Sequence, residues 1–199
     1  YICIRNEYHY KYNQMEVKLK EIANIQFGYY GQPSKDGTIP YLQAKHFNEF
    51  GQYIGENDTF LEENPKSMAN LLQNEDILFV AKGFRFFATL YNSDFGNAIA
   101  SSIFFILRTD KTRIIPGYLV SVLNLPKNLL HFQQSGAGSS IPSIRKNELA
   151  DFTFNLIPLE EQQKVVTLQE LYLKDIELTN NIIAEKQKLF QTTISKIIN

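Results

Sequence analysis

Four short stretches of this sequence bring cations, hydroxyls and aromatic rings together. Tyr29, Tyr30 and Lys35 follow the glycine at position 28, and Lys45 and His46 lie in "LQAKHF". Lys82, Phe84 and Arg85 lie in "AKGFR", and Ser139, Ser140, Arg145 and Lys146 in "GSSIPSIRK". Cations seek phosphates, hydroxyls and imidazoles bond to base edges, and rings pack on bases. The chemistry these types share is recognition of a nucleic-acid groove. Taken singly, a surface lysine or a core tyrosine is the ordinary reading of each.

No constellation supports bond-making chemistry. "GAGSS" (136–140) has glycines but neither a clean preceding strand nor the following Lys-Ser/Thr of a phosphate loop, so it reads as a flexible turn. Glu16, Val17 and Lys18 have the Glu-x-Lys spacing of many nucleases, but the partner acid would be Glu7 in a leader without pattern, and the spacing is read as chance. His9, His46 and His131 lack metal-ligand spacing, Cys3 is the only cysteine, and no Gly-x-Ser-x-Gly elbow or methyl-donor glycine loop occurs. The expectation is a non-catalytic chain without disulfide, metal or cofactor of its own.

Composition sets the frame for those stretches. The 199 residues are 44% hydrophobic, enough for one core with room for an appended element. No apolar run approaches the roughly 20 residues of a membrane span, and the first residues lack a signal-peptide pattern, so a cytoplasmic location is expected. The formal net charge is -1, yet residues 49–76 carry a net -6 and residues 77–147 a net +6. Such segregation permits a local phosphate-binding face, although charges dispersed by the fold would give the same count.

The elements that must position these residues can be read from pattern. Residues 1–14 are Tyr-rich and carry no assigned function. "VKLKEIANIQFGYYG" starts as a short amphipathic turn or helix through Leu19, Ile22 and Ala23, and "IPYLQAKHF" reads as a strand. Asn64 suits an N-cap with Pro65 at the first helical position, opening about two helical turns. The run 77–80 and the later "FFATLYN" form a hairpin with Lys82, Gly83, Phe84 and Arg85 at its tip. "NAIASSIFFILRT" is a strand buried on both faces at 103–107, because its apolar residues do not alternate. "IPGYLVSVLN" has helical spacing, and "IPSIRKNELADFTF" a turn or short helix leading into a last strand. The body to residue 157 is therefore α+β, without the β-α alternation of a doubly wound sheet.

Residues 158–199 contain neither Gly nor Pro after Pro158, and Glu160 and Glu161 suit the positive end of a helix dipole. One helix of about 38 residues, roughly 57 Å at about 1.5 Å per residue, is expected. Alternating steps of three and four pick out Val166, Gln169, Leu173, Ile176, Asn180, Ile183, Gln187, Phe190, Ile194 and Ile197 as a coiled-coil seam. Leu178, Ile182 and Leu189 widen the stripe, so more than one neighbour is expected. Asn180 and Gln187 either set the register of pairing or lie at its wet edge. A stripe this long needs a second helix to cover it.

In this order, "KLKEIANIQFGYYG", "IPYLQAKHF", "LLQNEDILFVAKG", "NAIASSIFFILRTD", "IIPGYLVSVLN" and "NELADFTFNLIPLEEQQKVV" resemble the DNA-specificity subunit of type I restriction-modification enzymes over about residues 17–175. The resemblance implies a mixed α/β target-recognition domain (1–157) that reads half of a bipartite site in double-stranded DNA. It implies a spacer helix (158–199) that docks methyltransferase subunits, and it brings "AKGFR" and the Gly-Ser loop to the DNA. Family members usually carry two such domains and two antiparallel helices, whereas this chain has one of each. It is then either a half-length subunit that homodimerises through antiparallel C-terminal helices or one half of a longer chain. S-adenosylmethionine, ATP and magnesium would belong to the methyltransferase and restriction-translocase partners. The rival readings are a coiled-coil scaffold whose globular head binds protein, and an enzyme such as a nuclease, which the missing motifs disfavour.

Overall fold

The computed structural model describes residues 15–48, 51–55, 57–93, 96–136 and 140–198, so the Tyr-rich leader with Cys3 and His9 lies outside the described residues. The chain begins with β1 (Met15–Lys18), a single 3-10 turn, β2 (Ala23–Phe27), β3 (Ile39–Leu42) and β4 (Phe60–Leu61). It continues through α1 (Pro65–Met68), β5 (Ile77–Val80), β6 (Ala88–Leu90), β7 (Ile99–Ala100) and β8 (Phe104–Thr109). α2 (Pro116–Leu123), α3 (Pro126–Ser135), α4 (Lys146–Ala150), β9 (Thr153–Leu156) and α5 (Leu159–Ile198) complete it. The part preceding α5 is a mixed α and β head, and α5 is one long helix.

A four-stranded antiparallel sheet in the order β2-β8-β5-β6 is the centre of the head. Period-two geometry sends successive side chains of a strand to opposite faces. Ile77, Phe79, Phe105 and Leu107 therefore face one cluster with Leu119 and Leu123 of α2 and Phe132 of α3. Leu78, Val80, Phe104 and Ile106 face a second cluster with Leu42, Phe47 and Phe87. Both faces of β5 and β8 are covered, which is why their apolar residues run without alternation. The remaining strands form a β4-β3-β7 sheet, with β3 parallel to β7, and a β1-β9 pair.

The 77–80 hairpin has the expected partner, with Ile77 opposite Leu90 and Phe79 opposite Ala88. The Asn64 side chain accepts from the Lys66 and Ser67 amides as an N-cap, although α1 is one turn and not two. "IPYLQAKHF", read as a strand, is one only over Ile39–Leu42 and then makes a 3-10 turn at Ala44–His46, and two further segments differ from their sequence reading. The short turn or helix expected through Leu19, Ile22 and Ala23 is present only as the 3-10 turn Leu19–Glu21, and strands flank it, β1 pairing with β9 and β2, which starts at Ala23, with β8. Ala23 and Ile25 are buried while Asn24 is exposed, a strand alternation hidden beside the helical spacing of Leu19 and Ile22. The single strand expected over 97–109 is two: Ser101–Ile103 turn the chain from β7, which pairs with β3, into β8.

One buried side chain at the junction to α5 bonds three backbone groups of the head. Gln162 is 0% exposed, and its Oε1 accepts from the Ile115 amide at 2.8 Å. Its Nε2 donates to the carbonyls of Ile157 at 2.8 Å and Arg113 at 3.1 Å. α5 packs on α2 beyond that point, where a Cβ on Gly117 would come within 3.2 Å of Val166 and Ser121 bonds Gln169. The helix spans 40 residues, or about 60 Å at about 1.5 Å per residue. Among the described residues no helix is long and apolar enough to cross a membrane.

Candidate nucleic-acid interface

Sheet register places the candidate residues. Phe27 at the end of β2 lies opposite Phe105, and Val80 at the end of β5 opposite Phe104. The loop after β2, the hairpin tip after β5 and the turn before β8 therefore emerge from the same end of the central sheet. The 140–146 segment is tied to that end by backbone bonds. Gly83 donates to Pro142 at 2.9 Å and Ile144 to Ala81 at 2.8 Å, while Ala81 itself donates to Ile103 at 2.8 Å. Lys82 and Ser143 form a bridge between those two segments. "AKGFR" and the segment after the Gly-Ser loop are thus one ledge.

On this ledge Lys82, Arg145, Lys146 and Ser140 are exposed. Among the described residues no carboxylate pairs with Lys82, Arg145 or Lys146. Phe84 is 79% exposed and Tyr30, on the neighbouring loop, 80%. Gly83 adopts φ +133°, a conformation L side chains rarely take, so the tip turns where a glycine stands. Phe27 was not among the expected site residues. It is 64% exposed, its ring stands edge-on to Phe105 at 5.3 Å, and Lys146 Nζ lies 5.6 Å from its centroid. An aromatic residue at a strand end directly before glycine was its only sequence signal.

Other expected contact residues serve the scaffold. His46 is 2% exposed, accepts the Gln43 amide at Nδ1 (3.1 Å) and bonds Asp58 at Nε2 (2.9 Å). With Nδ1 accepting, the proton sits on Nε2 and donates to Asp58. Both nitrogens are occupied, so His46 is a strut and not a base reader. Lys45 pairs with the same carboxylate at 2.6 Å. Hydrogen bonds from Lys45, then His46 and Thr59, hold the Asp58 carboxyl well below the ordinary carboxylate range. Arg85 donates to the Phe47 carbonyl at 2.9 Å and the Ala44 carbonyl at 3.2 Å, and its guanidinium lies 4.9 Å from the Phe87 centroid. That arginine braces the tip against the 44–47 turn. Tyr29 is half-buried, packs on the Ile39, Tyr41, Leu61 and Ile99 cluster, and bridges to Ser101. Lys35 lines a groove with Tyr29, Glu62 and Asn64, and Ser139 lies outside the described residues.

The opposed charge segments are partly knitted together. Arg108 grips the buried Asp76 through two bonds of 2.8 and 3.1 Å, and Lys111 pairs with Glu75. These pairs lie toward the opposite end of the sheet from the ledge. Among the described residues no group of three or more His, Cys, Asp or Glu is placed to hold a metal.

The expected seam on α5 divides in two. Val166 and Gln169 lie against α2 of the same chain, and Leu173 and Ile176 are half-buried. Asn180, Ile183, Gln187, Phe190, Ile194 and Ile197 are all exposed. Leu178, Ile182 and Leu189 are exposed as well.

Residues 12–186 match the protein family described as the type I restriction modification DNA specificity domain. No curated protein matches the chain. In structure it is similar to a chain from a study of complex assembly and conformational transition of the type I R-M system, with a TM-score of 0.60 and 17% identity over 87% of this chain and 41% of that one. The HsdS subunit from Thermoanaerobacter tengcongensis gives 0.58 and 17% over 82% of this chain and 38% of that one. The type I restriction-modification S subunit from M. genitalium gives 0.61 and 14% over 86% and 42%. This chain spans about two fifths of the length of the structures it matches. With the family's pattern covering residues 12–186, the chain belongs to the type I restriction modification DNA specificity domain family.

Proposed function

We propose that this chain is a non-catalytic, sequence-specific DNA-binding specificity subunit of a type I restriction-modification system, acting in the cytoplasm. The observation that carries this reading is the ledge at one end of the central sheet. There, among the described residues, Lys82, Arg145 and Lys146 stand without carboxylate partners, the Phe84 ring is exposed, Lys146 lies over the exposed Phe27 ring, and the exposed Tyr30 follows β2 on a loop from the same end. Unpaired cations there neutralise phosphates and fix the head on a duplex, and rings and hydroxyls beside them meet base edges. Methyl transfer with S-adenosylmethionine, and ATP- and magnesium-dependent translocation and cleavage, belong to partner subunits directed to the site by this one.

The exposed half of α5 supplies the assembly surface. Ile183, Phe190, Ile194 and Ile197 pair antiparallel with the helix of a second copy, and the Leu178, Ile182 and Leu189 side meets the methyltransferase subunit. Two heads related by a two-fold axis read a symmetric, interrupted site. The test is binding by the chain, complexed with its host's methyltransferase subunit, to a pool of random duplexes at moderate salt. Enrichment of one symmetric motif supports the reading, and equal affinity for all duplexes overturns it.

A further inference from the structure

The hairpin tip poses a question that phosphate attraction leaves open: why a bare phenyl ring is held at its most exposed point. Phe84 sits between Gly83, at φ +133°, and Arg85, whose guanidinium is fixed to two carbonyls of the 44–47 turn. Backbone bonds to Pro142 and from Ile144 brace the other side of the tip. Phe84 is therefore flanked by backbone tied to the scaffold on one side and by the anchored Arg85 side chain on the other, while its ring is 79% exposed. Among the described residues no other ring lies against it. A ring presented this way, with Lys82 two residues before it and Arg145 and Lys146 on the adjoining segment, is placed to touch something apolar within a polyanion.

The dimensions choose the groove. The tip is backed by the 142–144 segment, giving a ledge wider than a single strand. A minor groove of about 6 Å is too narrow for it, whereas a major groove of about 12 Å accepts a β-ribbon. A phenyl ring neither donates nor accepts a conventional hydrogen bond. The apolar group that base pairs present in the major groove is the thymine 5-methyl. We infer that Phe84 is a specificity-determining residue that packs on a thymine methyl in the major groove, while Lys82, Arg145 and Lys146 bind the flanking phosphates. This inference rests on the DNA-reading role proposed for the ledge and adds the base group that one side chain reads.

The experiment selects a motif from random duplexes with the chain in complex with its host's methyltransferase subunit, using wild type, Phe84→Ala, Phe84→Leu and Lys82→Ala. Affinities are then measured on the selected duplex with each thymine in turn replaced by deoxyuridine, which removes only the methyl group. In wild type, one thymine in each half-site should lose about fourfold in affinity on that replacement, as expected for about one buried methyl group. Phe84→Ala should bind the thymine duplex about tenfold more weakly, lose preference at that position and show no further loss with deoxyuridine, because the contact is already gone. Phe84→Leu, still apolar, should fall between them. Lys82→Ala should weaken all duplexes alike and lower the salt dependence. A motif without thymine, or a deoxyuridine penalty that survives in Phe84→Ala, overturns the inference. If Phe84→Ala is without effect while Lys82→Ala weakens binding, the Phe84 inference fails and the DNA-reading role stands. If wild type enriches no motif, both fail.

Discussion

The head and the long helix place their apolar residues in opposite ways. In the head, Phe79, Phe104 and Leu107 are wholly enclosed, on a sheet packed on both faces. Along α5, Ile183, Phe190 and Ile197 stand in solvent, and Gln162 in its first turn is the only fully buried residue of the helix. A head with two packed clusters can hold its shape from its own contacts. A bare stripe of isoleucine, leucine and phenylalanine gains stability only when a further helix packs on it. On the function proposed above, reading and assembly fall to two kinds of surface, a polar ledge on a packed sheet and an apolar stripe on the long helix.

The sharpest way to break this contrast is to place charges in the stripe. Ile183→Glu combined with Phe190→Glu should abolish the proposed dimer, since pairing would bury two unpaired carboxylates per chain. Light scattering should report monomer mass while the melting temperature of the head stays within about 2 °C of wild type, as surface substitutions in an independent element allow. An unchanged dimer mass would remove the stripe from assembly.

Gln162→Leu attacks the weld between the two regions. It strands the Ile115 amide and the Arg113 and Ile157 carbonyls in a buried junction. Unpaired buried groups cost about 1–3 kcal/mol each, so a loss of about 3 kcal/mol is expected. The melting temperature should fall by about 10 °C. A melt within about 2 °C of wild type, on the same conversion, would show that the helix is joined to the head by other contacts.

Smaller effects sharpen the division within the ledge itself. Lys82→Ala with Lys146→Ala should reduce the slope of log affinity against log salt by about two. Arg85→Ala should leave that slope nearly unchanged and lower thermal stability, because its guanidinium holds backbone carbonyls. The reverse pattern would make Arg85 the phosphate contact and Lys82 a bystander.

The smallest effect is on the acid side. Lys45 and His46 hold the folded Asp58 carboxyl below its ordinary value. A depressed folded pKa contributes stability that is complete above the unfolded value, about 3.9, and is lost as pH falls through the folded one. Asp58→Asn should therefore lower the melting temperature slightly at pH 7, and the gap to wild type should close as the solution is acidified below about pH 4. A gap that widens in acid would contradict the role assigned to Asp58.

Much of this was legible in the residues and some was not. The hairpin at 77–90, the cap at Asn64 and the long helix were visible because each is written locally, in alternation, capping chemistry or the absence of breakers. β2 was hidden because Leu19 and Ile22 share helical spacing with Ala23, and only pairing with the distant β8 decides for a strand. The site divided along the same line. Lys82, Phe84, Arg145 and Lys146 could be named from type, but their union on one ledge depends on backbone bonds between 81–83 and 142–144. His46 and Arg85 carry the right chemistry for DNA, and their partners, Asp58 and the 44–47 carbonyls, turn it inward. Gln162 looked like one polar residue among several in "EEQQK", since nothing local marks the one that enters the junction.

The most direct test of the central claim is the map of methylated bases in the host genome with and without this chain. The expected result is loss of methylation at one symmetric, interrupted motif on deletion, with its return when the chain is restored. A set of modified motifs that is the same in both genomes would contradict the assignment of sequence reading to this chain.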